Sequence, residues 1–134
     1  MPELTVQAMQ EMAAQIATAN LISVTIFLRL ITQESQWNPR AVNPRSGCTG
    51  LGQLHPRFFA GDLLDPMVNL HLSASALKGW FHYYDRDYFK ALAAYNYGPG
   101  NVNGLLREHG SEWMLHLPNE TRRYLRVILL KEDT

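Results

Sequence analysis

One cysteine, Cys48, stands in 134 residues. An intrachain disulfide is therefore impossible, and so is a cysteine-based metal site. Charge is sparse and balanced, 12 Lys and Arg against 12 Asp and Glu. Such a chain has no broad basic face with which to hold nucleic acid. The local cluster Arg122, Arg123 and Arg126 reads as a solvated helix face. Long apolar runs are also missing. Leu21 to Ile31 is too short to cross a bilayer, and Arg29 interrupts it, so no membrane insertion is expected. Residues 1–20 lack the basic start of a signal peptide and carry Glu3 and Glu11. The five histidines show no metal-ligand spacing, so neither a metal nor a cofactor is expected.

What is present is an ordinary soluble composition, 46% hydrophobic and 18% charged. A chain of this length buries roughly two thirds of its unfolded surface, enough for a core without staples. One domain over residues 1–134 is expected, acting as a monomer.

The periodicity is helical almost throughout. Leu4 to Ala19 places Val6, Met9, Ala13 and Ile16 on one face, and Asn20 marks a break and a candidate N-cap. Leu21 to Ser35 is apolar nearly all round, hence a buried helix. Gln36 to Gly50, with Asn38-Pro39 and Asn43-Pro44, reads as a structured loop. A short element follows from Leu51 toward Phe59. Asp65-Pro66 opens a helix whose core seam is Met67, Leu70, Ala74, Leu77, Phe81 and Tyr84. Asp87 caps Tyr88 to Tyr97, which stops at Gly98-Pro99-Gly100. Asn101 to Glu108 forms another helix ended by Gly110, Ser111 opens a short one, and Asn119 caps Glu120 to Leu130. The fold class is all-α, a single compact domain of about seven helices.

The second helix ends oddly. Phe27, Leu30, Ile31 and Glu34 share one face, so a carboxylate prolongs a buried stripe. An apolar environment raises a carboxyl pKa, and a helix C-terminus acts in the same direction. A carboxyl protonated near neutrality can serve as a general acid. Taken alone, Glu34 reads better as a glutamate leaving the core at a helix end.

Its neighbours change that reading. Glu34-Ser35, Asn38-Pro39, Ala41, Gly47 and Gly50-Leu51-x-Gln53 resemble the first motif of the lytic transglycosylases. These enzymes share the lysozyme-like fold with goose-type lysozymes. Ala91-Leu92-Ala93-Ala94-Tyr95-Asn96-Tyr97-Gly98-Pro99-Gly100 is similar to the family's second block, and Leu117-Pro118-Asn119-Glu120-Thr121-Arg122-x-Tyr124 to its closing block. Three blocks in order are far more specific than any one of them.

The resemblance implies a peptidoglycan-cleaving enzyme with Glu34 as its catalytic residue. Glu34 would protonate the oxygen between N-acetylmuramic acid and N-acetylglucosamine. It would then take a proton from the muramyl C6 hydroxyl, which closes a 1,6-anhydro ring. One carboxyl would do what glycosidases divide between two. Gln53 falls on a glutamine that faces the sugars, and an amide both donates and accepts there. Tyr95 falls on a tyrosine whose hydroxyl approaches the glutamate, and Asn96 on its asparagine neighbour. Ser35 either hydrogen-bonds near the helix end or terminates it. Glu120 falls on a second recurrent glutamate, expected to support Tyr95 or the cleft wall. His55 departs from the family's apolar residue and is expected to touch the saccharide, bringing pH dependence with it. Gly52 departs from the usual Met. The loop to Gly50 is one residue longer than usual, which leaves Asn43 an open cleft candidate. Trp37 is a candidate to line a sugar subsite.

Two other readings stay open: a muramidase hydrolysing the same bond with a second carboxylate or a held water, and a non-catalytic glycan-binding or virion domain. The expected place of action is the cell wall, in the periplasm or outside. Without a signal peptide the chain would be cytoplasmic until released, as a phage endolysin is.

Overall fold

The structure, a computed structural model, describes residues 3–131. The ends of the expected 1–134 domain lie outside the described residues. Six α-helices and one 3₁₀ helix are present among them, with no strand, only isolated bridges pairing Val42 with Thr49 and Thr49 with Leu54. The all-α expectation holds. No described helix is long and apolar enough to cross a membrane. The chain forms two compact units dividing between Ser75 and Ala76, inside a continuous helix.

In the first unit, α1 spans Val6–Ala19 and α2 spans Val24–Ser35. The Thr5 hydroxyl accepts from Ala8 N–H at 3.0 Å and starts α1. Met9, Ala13 and Ile16 are buried as their spacing predicts, whereas Val6 is 49% exposed because the stripe begins one turn later. Asn20 ends α1 rather than beginning α2. Its amide donates to the Ile16 carbonyl at 2.8 Å, and Ser23 is the N-cap that follows. Phe27, Leu30 and Ile31 of α2 are fully buried, each contributing roughly 1.5–3 kcal/mol. The two helices pack together.

The short element expected after Leu51 is turn structure, not helix. Asp65 then caps α3, Pro66–Tyr83, accepting from Met67 and Val68 N–H. Leu70, Ala74, Leu77, Phe81 and Tyr84 are buried as a seam, but Met67, in the first turn, is 40% exposed.

The second unit holds the end of α3, then α4 (Tyr88–Tyr97), α5 (Pro99–His109), a 3₁₀ helix (Gly110–His116) and α6 (Asn119–Leu130). Asp87 caps α4 through Phe89 and Lys90 N–H. Ala91, Leu92, Ala93 and Ala94 are all buried, and α4 packs on both α5 and α6. The small side chains explain how one short helix meets two neighbours. At the start of α6 the cap position falls to Pro118, not Asn119, and no side chain caps it. Arg123 is exposed as expected, while Arg122 and Arg126 are half-buried beside Leu125.

Candidate active site

Glu34 stands in the last turn of α2, half-buried, directly after the stripe of Phe27, Leu30 and Ile31. The chain then reverses through two consecutive left-handed residues, Gln36 (φ 52) and Trp37 (φ 64). Such conformations cost of order 1–3 kcal/mol each for side-chain-bearing residues and persist only where the surroundings enforce them. Ser35 supplies part of that enforcement. Its hydroxyl donates to Ile31 O and accepts from Trp37 N–H, both at 3.2 Å. Trp37 supplies the rest. It is 6% exposed, and its indole N–H donates to Thr32 Oγ1 at 2.8 Å. Trp37 is therefore a core residue that clamps the turn, not a sugar platform.

The reversal opens a groove of roughly 490 Å³ beside Glu34. Ser35, Gln53, Asn38, Arg40 and Asn43 share its lining, which is mostly polar. Asn43 is thus a groove residue. Its Oδ1 is held in a turn by Arg45 and Ser46 N–H, as Asn38 Oδ1 is by Arg40 N–H.

Gln53 is also left-handed (φ 53). Its Nε2 donates to Ala41 O at 3.0 Å and Gly50 O at 3.1 Å. Both partners are carbonyls, so the amide nitrogen must face them. Only Oε1 is left for the groove. Gln53 is an acceptor there, not the donor and acceptor that its residue type allows.

Sequence reasoning missed what holds this loop. Asn69, in the first turns of α3, is fully buried. Its Oδ1 accepts from Gly52 N–H at 2.8 Å and from Ser73 Oγ at 2.9 Å. Its Nδ2 donates to Thr49 O and Leu63 O, both at 2.9 Å. All four hydrogen-bonding positions of the amide are used. The one signal available was a polar residue flanking the apolar seam.

His55 belongs to the same unit but does not line the groove. Its Nδ1 accepts from Arg57 N–H at 3.0 Å, and its ring leans on Phe58. The proton must then sit on Nε2, which leaves one donor.

Tyr95, Asn96 and Glu120 belong to the second unit. Tyr95 and Asn96 occupy the last turn of α4, half-buried. Asn96 Oδ1 accepts from the hydroxyl of Thr121, itself buried, at 2.9 Å. Glu120 is exposed in the first turn of α6, where negative charge is favoured. Thr121 thus ties α4 to α6. No group of three or more His, Cys, Asp or Glu that could hold a metal occurs among the described residues.

A family model, the transglycosylase SLT domain, matches residues 11–113. The chain belongs to this family. Its Glu34 groove and the α4 block both fall within the matched SLT region. The soluble lytic murein transglycosylase of Salmonella typhimurium is 30% identical over 128 residues, covering 81% of this SLT chain and 20% of that protein. That of Escherichia coli K12 is 30% identical over 122 residues, covering 76% and 19%. The 70 kDa soluble lytic transglycosylase of Escherichia coli superposes with a TM-score of 0.78 at 25% identity, over 88% of this chain and 22% of that one. An inactive glutamate-to-glutamine mutant of the lytic transglycosylase Slt from Pseudomonas aeruginosa matches equally well. This SLT chain spans about a fifth of the length of these relatives. The fold they share with it is the lysozyme-like one expected from the motifs.

Proposed function

We propose that this chain cleaves the β-1,4 bond between N-acetylmuramic acid and N-acetylglucosamine in peptidoglycan by transglycosylation. Glu34 protonates the glycosidic oxygen, and the muramyl C6 hydroxyl attacks its own anomeric carbon. The Glu34 carboxylate then takes that hydroxyl's proton. The products are a chain end free at C4 and a 1,6-anhydromuramyl end, with no water consumed.

The observation that carries this reading is the chemistry of the groove wall. Among the described residues lining it, Glu34 is the one carboxylic acid, and the nearby Glu3 carboxylate is engaged by Arg40. A hydrolase working with a carboxyl pair needs a second acid about 5–9.5 Å away. A single carboxyl beside polar, planar side chains suits the intramolecular reaction. That a glutamate-to-glutamine change marks an inactive relative is in line with it.

In this reading Gln53 Oε1 accepts from a sugar hydroxyl or acetamido N–H. Tyr95 contacts the glycan strand from the second unit, and Asn96, fixed by Thr121, holds the end of α4. Ser35 acts on the position of Glu34, and His55 offers its Nε2–H to saccharide beyond the Glu34 groove. Glu120 remains a supporting residue. The partner is the murein glycan strand, met at the cell wall in the periplasm or outside by a monomer that neither binds nucleic acid nor enters the membrane. An endolysin's route of release is one way for it to arrive there.

The deciding experiment is mass spectrometry of fragments released from purified peptidoglycan by the protein and by Glu34→Gln. Ends lighter by one water and resistant to borohydride, absent with Glu34→Gln, are expected. Reducing ends would instead establish hydrolysis and require a second acid or a held water.

A further inference from the structure

The groove has a charged wall that the reaction does not use. Arg40 lines it, a few residues beyond Glu34, and its guanidinium is paired with the carboxylate of Glu3. Both side chains are largely exposed, 75% and 65%. An exposed pair of this kind is worth little and exchanges readily. Beside it, the Oδ1 atoms of Asn38 and Asn43 are tied to backbone N–H groups. Their Nδ2 groups, with no acceptor among the described residues, are what these amides can offer a ligand. This wall therefore presents only donors, one of them a cation whose planar fork matches a carboxylate. In this structure one guanidinium nitrogen of Arg40 meets one carboxylate oxygen of Glu3.

We propose that Arg40, with the amide donors of Asn38 and Asn43, forms a subsite for a carboxylate on the lactyl arm of a muramyl sugar, and that Glu3 occupies it until substrate arrives. The inference rests on the glycan-groove reading above and names what distinguishes the preferred strand. A chain of N-acetylglucosamine alone is neutral and gives the Arg40 guanidinium no carboxylate to pair with. A muramyl sugar carries a carboxylate at this arm in either of two forms. It is the free lactyl carboxylate where no peptide is attached, or the carboxylates of the stem where one is. Glu3 then works as an internal competitor. Removing it and removing Arg40 must act in opposite directions, whereas a pair that merely tied down the N-terminal segment would make both changes act alike.

The test is isothermal titration in a Glu34→Gln background, so that no bond is cut. Three tetrasaccharide probes are compared: chitotetraose, a peptide-free muramyl tetrasaccharide, and the same with tetrapeptide stems. The quantity read is the affinity for each muramyl probe divided by that for chitotetraose. Arg40→Gln is expected to lower this ratio about fivefold and Glu3→Gln to raise it about twofold. Both effects should shrink in about 1 M salt, where screening acts within roughly 3 Å. The probe that responds identifies the source of the carboxylate. A ratio unmoved by Arg40→Gln, with all probes bound, overturns this subsite alone. So does a fall in the ratio with Glu3→Gln. Binding of no probe overturns the subsite together with the groove reading.

Discussion

A Cβ built on Gly50 would lie 2.2 Å from Nδ2 of Asn69 and equally close to the carbonyl of Leu63. Gly50 itself has φ +80, a conformation that side chains rarely adopt. The motif glycine and the buried asparagine are thus one device. The missing side chain lets the Gln53 loop settle against the amide that holds it. Gly50→Ala is expected to destabilise the protein by about 4 kcal/mol or more, in the range reserved for severe core lesions. Asn69→Ala removes the amide's bonds to Leu63 O, Gly52 N–H and Ser73 Oγ, while Thr49 O keeps the Leu54 N–H, at about 3 kcal/mol. Urea unfolding with an unchanged m-value would read both losses. An Asn69→Ala midpoint close to the parent's would show that the loop is held by something else.

Gln53 separates a structural role from a binding role. Gln53→Glu keeps an oxygen for the groove but turns its other oxygen onto Ala41 O and Gly50 O, where two donated bonds were. Repulsion replaces attraction, and a stability loss of about 2 kcal/mol is expected. Gln53 would be a purely sugar-facing residue if thermal unfolding of this variant matched the parent while turnover fell.

Ser35 makes the converse case. Its two bonds close the end of α2 around Glu34. Ser35→Ala is expected to cost about 1 kcal/mol and to lower kcat with KM nearly constant, since Glu34 loses its fixed position and the glycan loses no contact. A rise in KM at constant kcat would place the hydroxyl on the substrate instead.

How far the sequence reaches is visible in these same residues. Capping chemistry and apolar period are local, so α4 was legible from Asp87 to Tyr97, and Leu70, Ala74 and Leu77 were legible as core. Glu34 could be placed because it continues an apolar stripe and heads a dense motif. The motif also carried Gln53 into the groove, but it could not say which end of the amide is available. That depends on two carbonyls, one of them twelve residues away. Trp37 misled for a related reason. A tryptophan in a motif loop is indistinguishable from a sugar platform until its N–H finds Thr32. Asn69 was invisible because its four partners are scattered between Thr49 and Ser73, and period analysis registers only that a polar residue interrupts an apolar face.

Tyr84 gives the protein an alkaline weakness. Its phenol is buried at the end of the α3 seam and donates to Asn103 Oδ1 at 2.9 Å, with Tyr83 edge-on beside it. Burial, and then the neighbouring Tyr83 phenol, raise its pKa above the ordinary value of 10.0. The folded state thus binds this proton more tightly than the unfolded chain does. The resulting stability is fully present below pH 10 and is lost as pH rises through the higher folded value. Unfolding free energy measured from pH 8 to 12 is expected to fall along the alkaline leg. Tyr84→Phe should flatten that leg while costing about 1 kcal/mol at neutral pH for the lost bond to Asn103. An alkaline slope identical in the two proteins would assign it to other phenols or to lysines, and would leave Tyr84 a packing residue alone.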